Sequence, residues 1–323
     1  MWKVSMPERE WMKIYGALVA TTLFWGLSFV ATKVALESIP TFTLIFARFV
    51  LASLFFAAVM IRHGAPALTP KDHVKLFLMA IFQPGTYFLC ETHGLLYTSA
   101  AKVSLIIATI PIAVVMLSAL ILKEKTNRLG IIGVFLSLIG IAILVIGDPD
   151  FSWSLGGSLK GDLIVFGAVL SAAFYIVSAR DLGRRYSSME ITGMQCFYGA
   201  LFFSPALFLD FPTLSWAAIS GRSLIALLYL TIFATVTAFF CYNFALSRIP
   251  AARAAIFING IPVVTAIGAW IILGERLTSL QLSGGGLVLV AVFITNFMNR
   301  SKAVALSDST ANSHALQSSL KMK

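Results

Sequence analysis

Apolar residues fill most of the chain in stretches of about helix-spanning length, separated by short segments that carry its polar, glycine and proline positions. A helix rises about 1.5 Å per residue, so roughly 20 apolar residues cross the hydrocarbon core of a bilayer. Ten stretches meet that condition, over 15–36, 41–62, 73–96, 99–122, 128–147, 161–180, 190–210, 223–246, 250–273 and 279–299. The pattern predicts an all-α polytopic membrane protein with ten transmembrane helices. The first run has spanning length and others follow it closely, so it reads as the first membrane helix and not as a signal peptide. Residues 1–14 form a short cytoplasmic segment in this reading. The Gly/Ser-rich linker 148–160 separates helices 1–5 (15–147) from helices 6–10 (161–299), and the Ser-rich stretch 300–323 reads as a disordered cytoplasmic tail.

Composition agrees with the pattern. The chain of 323 residues is 59% hydrophobic and 12% charged, whereas a soluble domain is about 25% charged. Such a surface suits lipid. The net charge of +10 does not gather into one basic patch, which argues against nucleic acid as a partner. Lys and Arg sit mainly in short clusters between apolar runs, the positions by which membrane proteins mark cytoplasmic loops. With the N-terminus inside, the outer ends hold only Lys33, Lys102, Lys160, Arg222 and Arg276, Arg48 and Arg253 lie within spans, and the remaining Lys and Arg fall inside. The asymmetry places both termini in the cytoplasm of a multi-pass protein. Cys90, Cys196 and Cys241 lie in apolar segments, which argues against a disulfide framework.

The chain also matches itself. At an offset of 151, residues 95–140 align without a gap on 246–291, pairing Ala100 with Ala251, Ala101 with Ala252, Pro111 with Pro262, Glu124 with Glu275 and Gly133 with Gly284. Lys102 falls opposite Arg253. Upstream, an offset of 147 lays Lys33 on Arg180 and Arg48 on Gln195. Five helices is an odd number, so the second repeat crosses the membrane in the opposite sense to the first. Inverted repeats are a common device of secondary transporters, because two equivalent packings of the halves give two access states.

Particular segments carry a family resemblance. YTSAAKVSLIIATIPIAVVMLSALILKEK (97–125) resembles the signature of the EamA-type transporters of the drug/metabolite transporter superfamily, and RIPAARAAIFINGIPVVTAIGAWIILGER (248–276) is similar to its second copy. FWGLSFVATK (24–33) and ARF (47–49) resemble the same family. The resemblance covers about residues 15–299. It implies two five-helix repeats around a central substrate cavity, a cell inner-membrane location and, among directions, export. It implies no single substrate, since the family spans amino acids, metabolites, sugars and drugs.

Glu91 is the most informative residue, as the one carboxylate well inside a predicted span. A buried carboxylate is expensive in lipid and is usually paired, protonated or turned toward water. It reads either as a substrate-amine or proton site, or as half of a structural ion pair; Arg48, at similar depth, is its candidate partner, with Lys33 and Lys102 nearer the outer surface. Gln83, Tyr87 and Glu91 recur every four residues and so share one face of a regular helix. Thr21, Trp25, Ser28 and Thr32 form a stripe on helix 1, Ser171, Tyr175 and Ser178 on helix 6, and Thr231, Thr235 and Tyr242 on helix 8. Such stripes line a shared cavity, or they serve helix packing, where Ser and Thr are also favoured. Pro111 and Pro262 break helices 4 and 9 near mid-membrane. The break offers Asn259 to a polar substrate. Glu124 and Glu275 read as helix-end caps or partners of Lys125 and Arg276, and Lys102 as a side chain snorkelling to headgroups. Gly130, Gly133, Gly140 and Gly284–Gly286 allow close helix approach, within the chain or at a homodimer face.

The candidate substrate contacts are therefore Glu91, Tyr87, Gln83, Trp25, Ser28, Arg48, Tyr175, Thr235 and Asn259. No zincin, nucleophile-elbow, C-x-x-C or P-loop motif occurs, and no cofactor or metal is called for. The leading expectation is a secondary transporter of small organic molecules, not an enzyme. The alternative is an intramembrane enzyme acting on lipids, which would need paired acids or a His/Ser/Asp set at one depth; only His93 lies near Glu91.

Overall fold

The computed structural model describes residues 8–64, 68–121, 128–149, 151, 157–178, 186–246, 248, 257, 259–291 and 294. All regular structure among them is helical: α1 (Glu8–Ala35), α2 (Thr41–His63), α3 (Pro70–Ala80), α4 (Tyr87–Gly94), α5 (Ala100–Ile107), α6 (Ile110–Ile121), α7 (Arg128–Ile146), α8 (Gly157–Ser178), α9 (Ser188–Phe203), α10 (Leu207–Asp210), α11 (Gly221–Tyr229), α12 (Ala238–Leu246), α13 (Ile261–Leu273) and α14 (Ser279–Ala291). Four helical stretches have the length and apolarity to cross a membrane: Glu8–Ala35, Thr41–Arg62, Gly157–Tyr175 and Gly221–Ala245. Shorter apolar helices include Ala100–Val114, Phe135–Ile146, Ile261–Leu273 and Ser279–Ala291.

Local chemistry sets the helix ends. Thr69 accepts the Asp72 N–H and Asp72 reaches back to the Thr69 N–H, a capping box with Pro70 in the first turn. Ser187 and Glu190 repeat the device at α9. Ser99 caps α5 by accepting the Lys102 N–H. α13 stops where Gly274 turns left-handed at φ 68°, a backbone state that costs other residues a Cβ clash.

Burial is inverted relative to a protein bathed in water. Ile61, Trp216, Phe208, Leu209 and Ile271 are exposed, while Thr21, Arg48, Glu91, Lys102, Ser104 and Thr235 are buried. Unpaired polar groups in lipid are expensive, so these polar side chains turn inward, while large apolar ones lie outside as well as in the core. The two halves of the chain interlock. α2 lies against α9, α4 and α5 against α8, and α1 against α11, α12 and α13. Gly140 and Gly284 meet backbone to backbone, since a Cβ on Gly284 would lie 2.6 Å from the Leu144 nitrogen. These two glycines thus close a contact inside the chain, whereas Gly286 has nothing within 4 Å.

The third predicted span is not one regular helix. Between α3 and α4 the chain passes through a π-helical segment, Ile81–Thr86, in which Gln83 is extended (φ −140°, ψ 113°). Proline disfavours the helical state in its predecessor and removes a hydrogen bond, and Pro84 follows Gln83. The expected common face of Gln83, Tyr87 and Glu91 is therefore lost at Gln83, because the wide turn rotates it away from the four-residue register.

A second π-helical segment, Leu230–Thr237, joins α11 to α12. It lies at the offset of 151 from the first, where Ile81 and Ile232, Phe82 and Phe233, Thr86 and Thr237, Phe88 and Phe239, and Cys90 and Cys241 are identical. The bonding repeats too: the Thr86 hydroxyl donates to the Ile81 carbonyl at 2.9 Å and that of Thr237 to the Ile232 carbonyl at 2.7 Å. In each half the same threonine hydroxyl bonds the carbonyl five residues back.

Candidate functional site

The two π segments face one narrow, partly open cleft. Gln83 and Pro84 come from the first segment and Thr235 from the second; Phe49 of α2, Thr192, Gln195 and Cys196 of α9, and Phe239 of α12 complete the wall. Both halves of the chain supply it.

Arg48 stands beside this cleft, 4% exposed. Its Nε donates to the Thr235 hydroxyl at 2.5 Å, and its guanidinium carbon lies 4.6 Å from the Phe88 ring centroid, a cation–π distance. Glu91 is 2% exposed and accepts the Thr92 hydroxyl at 3.0 Å. Phe88 stands three residues before Glu91 on α4, so the guanidinium packs on the helix that carries the carboxyl. Yet no ion pair within 4.0 Å joins Arg48 to Glu91 among the described residues. The expected direct contact is thus replaced by a buried guanidinium and a buried carboxyl with no ion pair between them. Guanidinium has five N–H donors, and Thr235 takes one.

The other expected residues divide. Tyr175 accepts the Gln195 amide at 2.6 Å and so stands one bond behind the cleft wall. Trp25 donates to the Ala234 carbonyl at 3.0 Å and packs 5.1 Å from Phe239 and from Tyr242, again one layer back. Ser28 donates to the Trp25 carbonyl within its own helix, which is packing. Asn259 keeps a buried side-chain oxygen with no hydrogen-bond partner, away from the cleft wall. The wall residues not foreseen are Phe49, Pro84, Thr192, Gln195, Cys196 and Phe239. Thr192 accepts the Asn243 amide at 2.6 Å. Gln195 did carry a signal, since the offset of 147 lays it on Arg48; the two positions of the repeat meet at the same cleft, one charged and one neutral.

His93, the histidine nearest Glu91, is bonded to the Leu89 carbonyl at 2.9 Å and packs on Phe42. Two further expectations change. Lys102 does not snorkel: it is wholly buried, 2.7 Å from both Asp148 and Asp162. Glu275 pairs with Lys33 at 2.8 Å, because the left-handed turn at Gly274 aims it across the bundle. Glu124 and Arg253 lie outside the described residues, as does Lys125.

The model of the EamA-like transporter family matches this chain twice, over residues 12–146 and 159–297. The chain belongs to the EamA-like transporter family. It thereby falls in the drug/metabolite transporter superfamily. Among relatives of the EamA-like chain, an uncharacterized transporter of Archaeoglobus fulgidus is 28% identical over 284 residues, which cover 88% of this chain and 98% of that one. The uncharacterized transporter YetK of Bacillus subtilis is 26% identical, covering 89% and 88%. A probable terminal-alkyne amino-acid exporter of Streptantibioticus cattleyicolor is 24% identical, covering 88% and 93%. A crystal structure shares the fold with a TM-score of 0.63 at 16% identity, covering 88% of this chain and 96% of its own. The EamA-like membership and these names indicate a multi-pass membrane transporter and not an enzyme.

Proposed function

We propose that this protein is a secondary transporter of small zwitterionic molecules bearing a carboxylate, of amino-acid type, and that it exports them by alternating access of two inverted five-helix repeats. In this reading ten helices cross the cell membrane, both termini lie in the cytoplasm, and the substrate binds between the halves. The observation that carries the substrate class is the unjoined pair Arg48 and Glu91. Each is buried, each has spare hydrogen-bonding capacity, and the Arg48 guanidinium packs on Phe88, three residues from Glu91 on the same helix. A ligand with an anionic and a cationic end satisfies both, with the Arg48 fork on the carboxylate and Glu91 on the ammonium. Phe49, Phe88 and Phe239 offer apolar surface to the remainder. The relative named as a probable terminal-alkyne amino-acid exporter supports the class and the direction.

Thermal unfolding of the purified protein with a panel of amino acids, and with their decarboxylated and deaminated analogues, tests this. An intact zwitterion at 100 times its dissociation constant stabilises the protein by about 2.7 kcal/mol; either analogue does so far less. Equal shifts with a zwitterion and both analogues would overturn the substrate class, and shifts confined to another chemical class would replace it.

A further inference from the structure

The turn between α4 and α5 is tied down by charges drawn from both halves of the chain. Lys33 of α1 donates to the Thr98 carbonyl at 3.0 Å and to Glu275 at 2.8 Å. Glu275, just past α13, also accepts the backbone N–H groups of Ala100 at 3.2 Å and Ala101 at 3.3 Å, at the positive end of α5. Lys102 sits 2.7 Å from Asp148 and 2.7 Å from Asp162, and the Thr98 hydroxyl donates to Asp162 at 3.0 Å. At this level α4 and α8 touch through glycine, a Cβ on Gly161 meeting the Gly94 carbonyl at 2.9 Å. One helix, α4, of 8 residues, separates this turn from the π segment that walls the cleft.

A buried ionic cluster is poor evidence of stability, since apolar packing of equal volume holds as well or better. What such a cluster offers instead is a contact that water can dissolve. The partners here are also arranged in two classes. Lys102 has one partner two residues past α7, the last helix of its own half, at Asp148, and one in the other half, Asp162. Lys33 likewise has the Thr98 carbonyl in its own half and Glu275 in the other. If the halves part, each cation keeps a partner, and the released carboxylates of Asp162 and Glu275 face the entering water.

We propose that Thr98–Lys102, with Lys33, Asp162 and Glu275, is the latch that closes the cleft at this end of the bundle and opens once in each transport cycle by exchanging cross-half bonds for own-half ones. The inference rests on the transporter reading but on no particular substrate. It also adds gating residues that the cleft does not touch.

The test needs no substrate. Cys90, Cys196 and Cys241 are replaced by Ser, Phe239→Cys is added as a reporter in the cleft, and a membrane-impermeant maleimide is applied to intact cells and to inverted vesicles. From the latch side the parent should label slowly. Asp162→Asn with Glu275→Gln, which keep volume and remove the cross-half charges, should label at least tenfold faster from that side only. Equal labelling of a monodisperse variant and the parent overturns the latch. A second arm replaces Lys33 and Glu275 by Cys in the same background and oxidises them before labelling. Protection that appears on oxidation and disappears on reduction supports the latch; labelling indifferent to the bridge sinks it, even if the charge variants fail to fold.

Discussion

Arg48 in the first half of the chain donates its Nε proton to Thr235 in the second, and Thr235 in turn donates to the Leu230 carbonyl inside a π turn. A charge on one half is thereby seated on the irregular backbone of the other. The widened turn supplies the acceptor geometry, and Thr235 takes only one of the guanidinium's five donors.

Arg48→Lys tests whether the fork matters or only the charge. Lysine presents a compact ammonium without the planar pair of donors, and it cannot hold Thr235 while meeting a carboxylate side by side. Hydrogen bonds to charged groups are worth about 1.5–3 kcal/mol, so substrate affinity should fall roughly 10- to 100-fold while the protein stays folded. Calorimetric titration with the best zwitterion of the panel gives the number; unchanged affinity would mean that Arg48 serves only to pin α2.

Glu91→Gln separates a substrate site from a structural pair. Glutamine still accepts the Thr92 hydroxyl, and no ion pair with Arg48 within 4.0 Å is lost among the described residues. Transport into proteoliposomes should drop at least tenfold with the unfolding temperature little changed. A variant that unfolds early yet transports normally per folded molecule would return Glu91 to a structural role.

The fold was legible where lipid dictates the sequence, because a span must be continuously apolar and its breaks must fall at Gly, Pro or charge. Thus α2 and α7 end within a residue of their expected limits, and Pro111 marks the break between α5 and α6. The π segments were not legible. Pro84 signals the first, but Leu230–Thr237 has no proline, and its only trace is identity with Ile81, Phe82 and Thr86 one repeat earlier. At the site, Arg48, Glu91 and Thr235 stand out as polar residues in apolar runs. Gln195 is visible only through the symmetry that lays it on Arg48. Lys102 was misread because its partner Asp148 is 46 residues away, in a segment that looks like plain linker.

The glycine contact between α7 and α14 gives a stability prediction with a control built in. A Cβ on Gly284 would meet the Leu144 nitrogen at 2.6 Å and the Gly140 carbonyl at 2.8 Å, both backbone atoms that cannot step aside. Gly284→Ala should therefore destabilise by about 1–3 kcal/mol through overpacking. Gly286, on the same helix with open space around it, should accept alanine with no loss. Thermal unfolding of the two variants in detergent decides; equal losses would show that helix flexibility and not packing sets the cost.

Lys102→Met removes the cation that bridges Asp148 and Asp162. Methionine fills similar volume, so the damage is electrostatic: two carboxylates lose the buried ammonium they share. Breaking a buried ion pair from one side costs about 3–5 kcal/mol, and two acids share this lysine, so the single variant should express poorly or unfold early. Replacing the acids as well, in Lys102→Met with Asp148→Asn and Asp162→Asn, removes the stranded charges and should recover most of the lost stability. Recovery with net transport still defective would separate the two roles of the cluster, since neutral side chains restore the packing but cannot exchange one ionic partner for another. If the triple variant is as unstable as the single one, Lys102 holds the bundle through contacts other than its charge, and the cross-half pairing with Asp162 is not what closes this end.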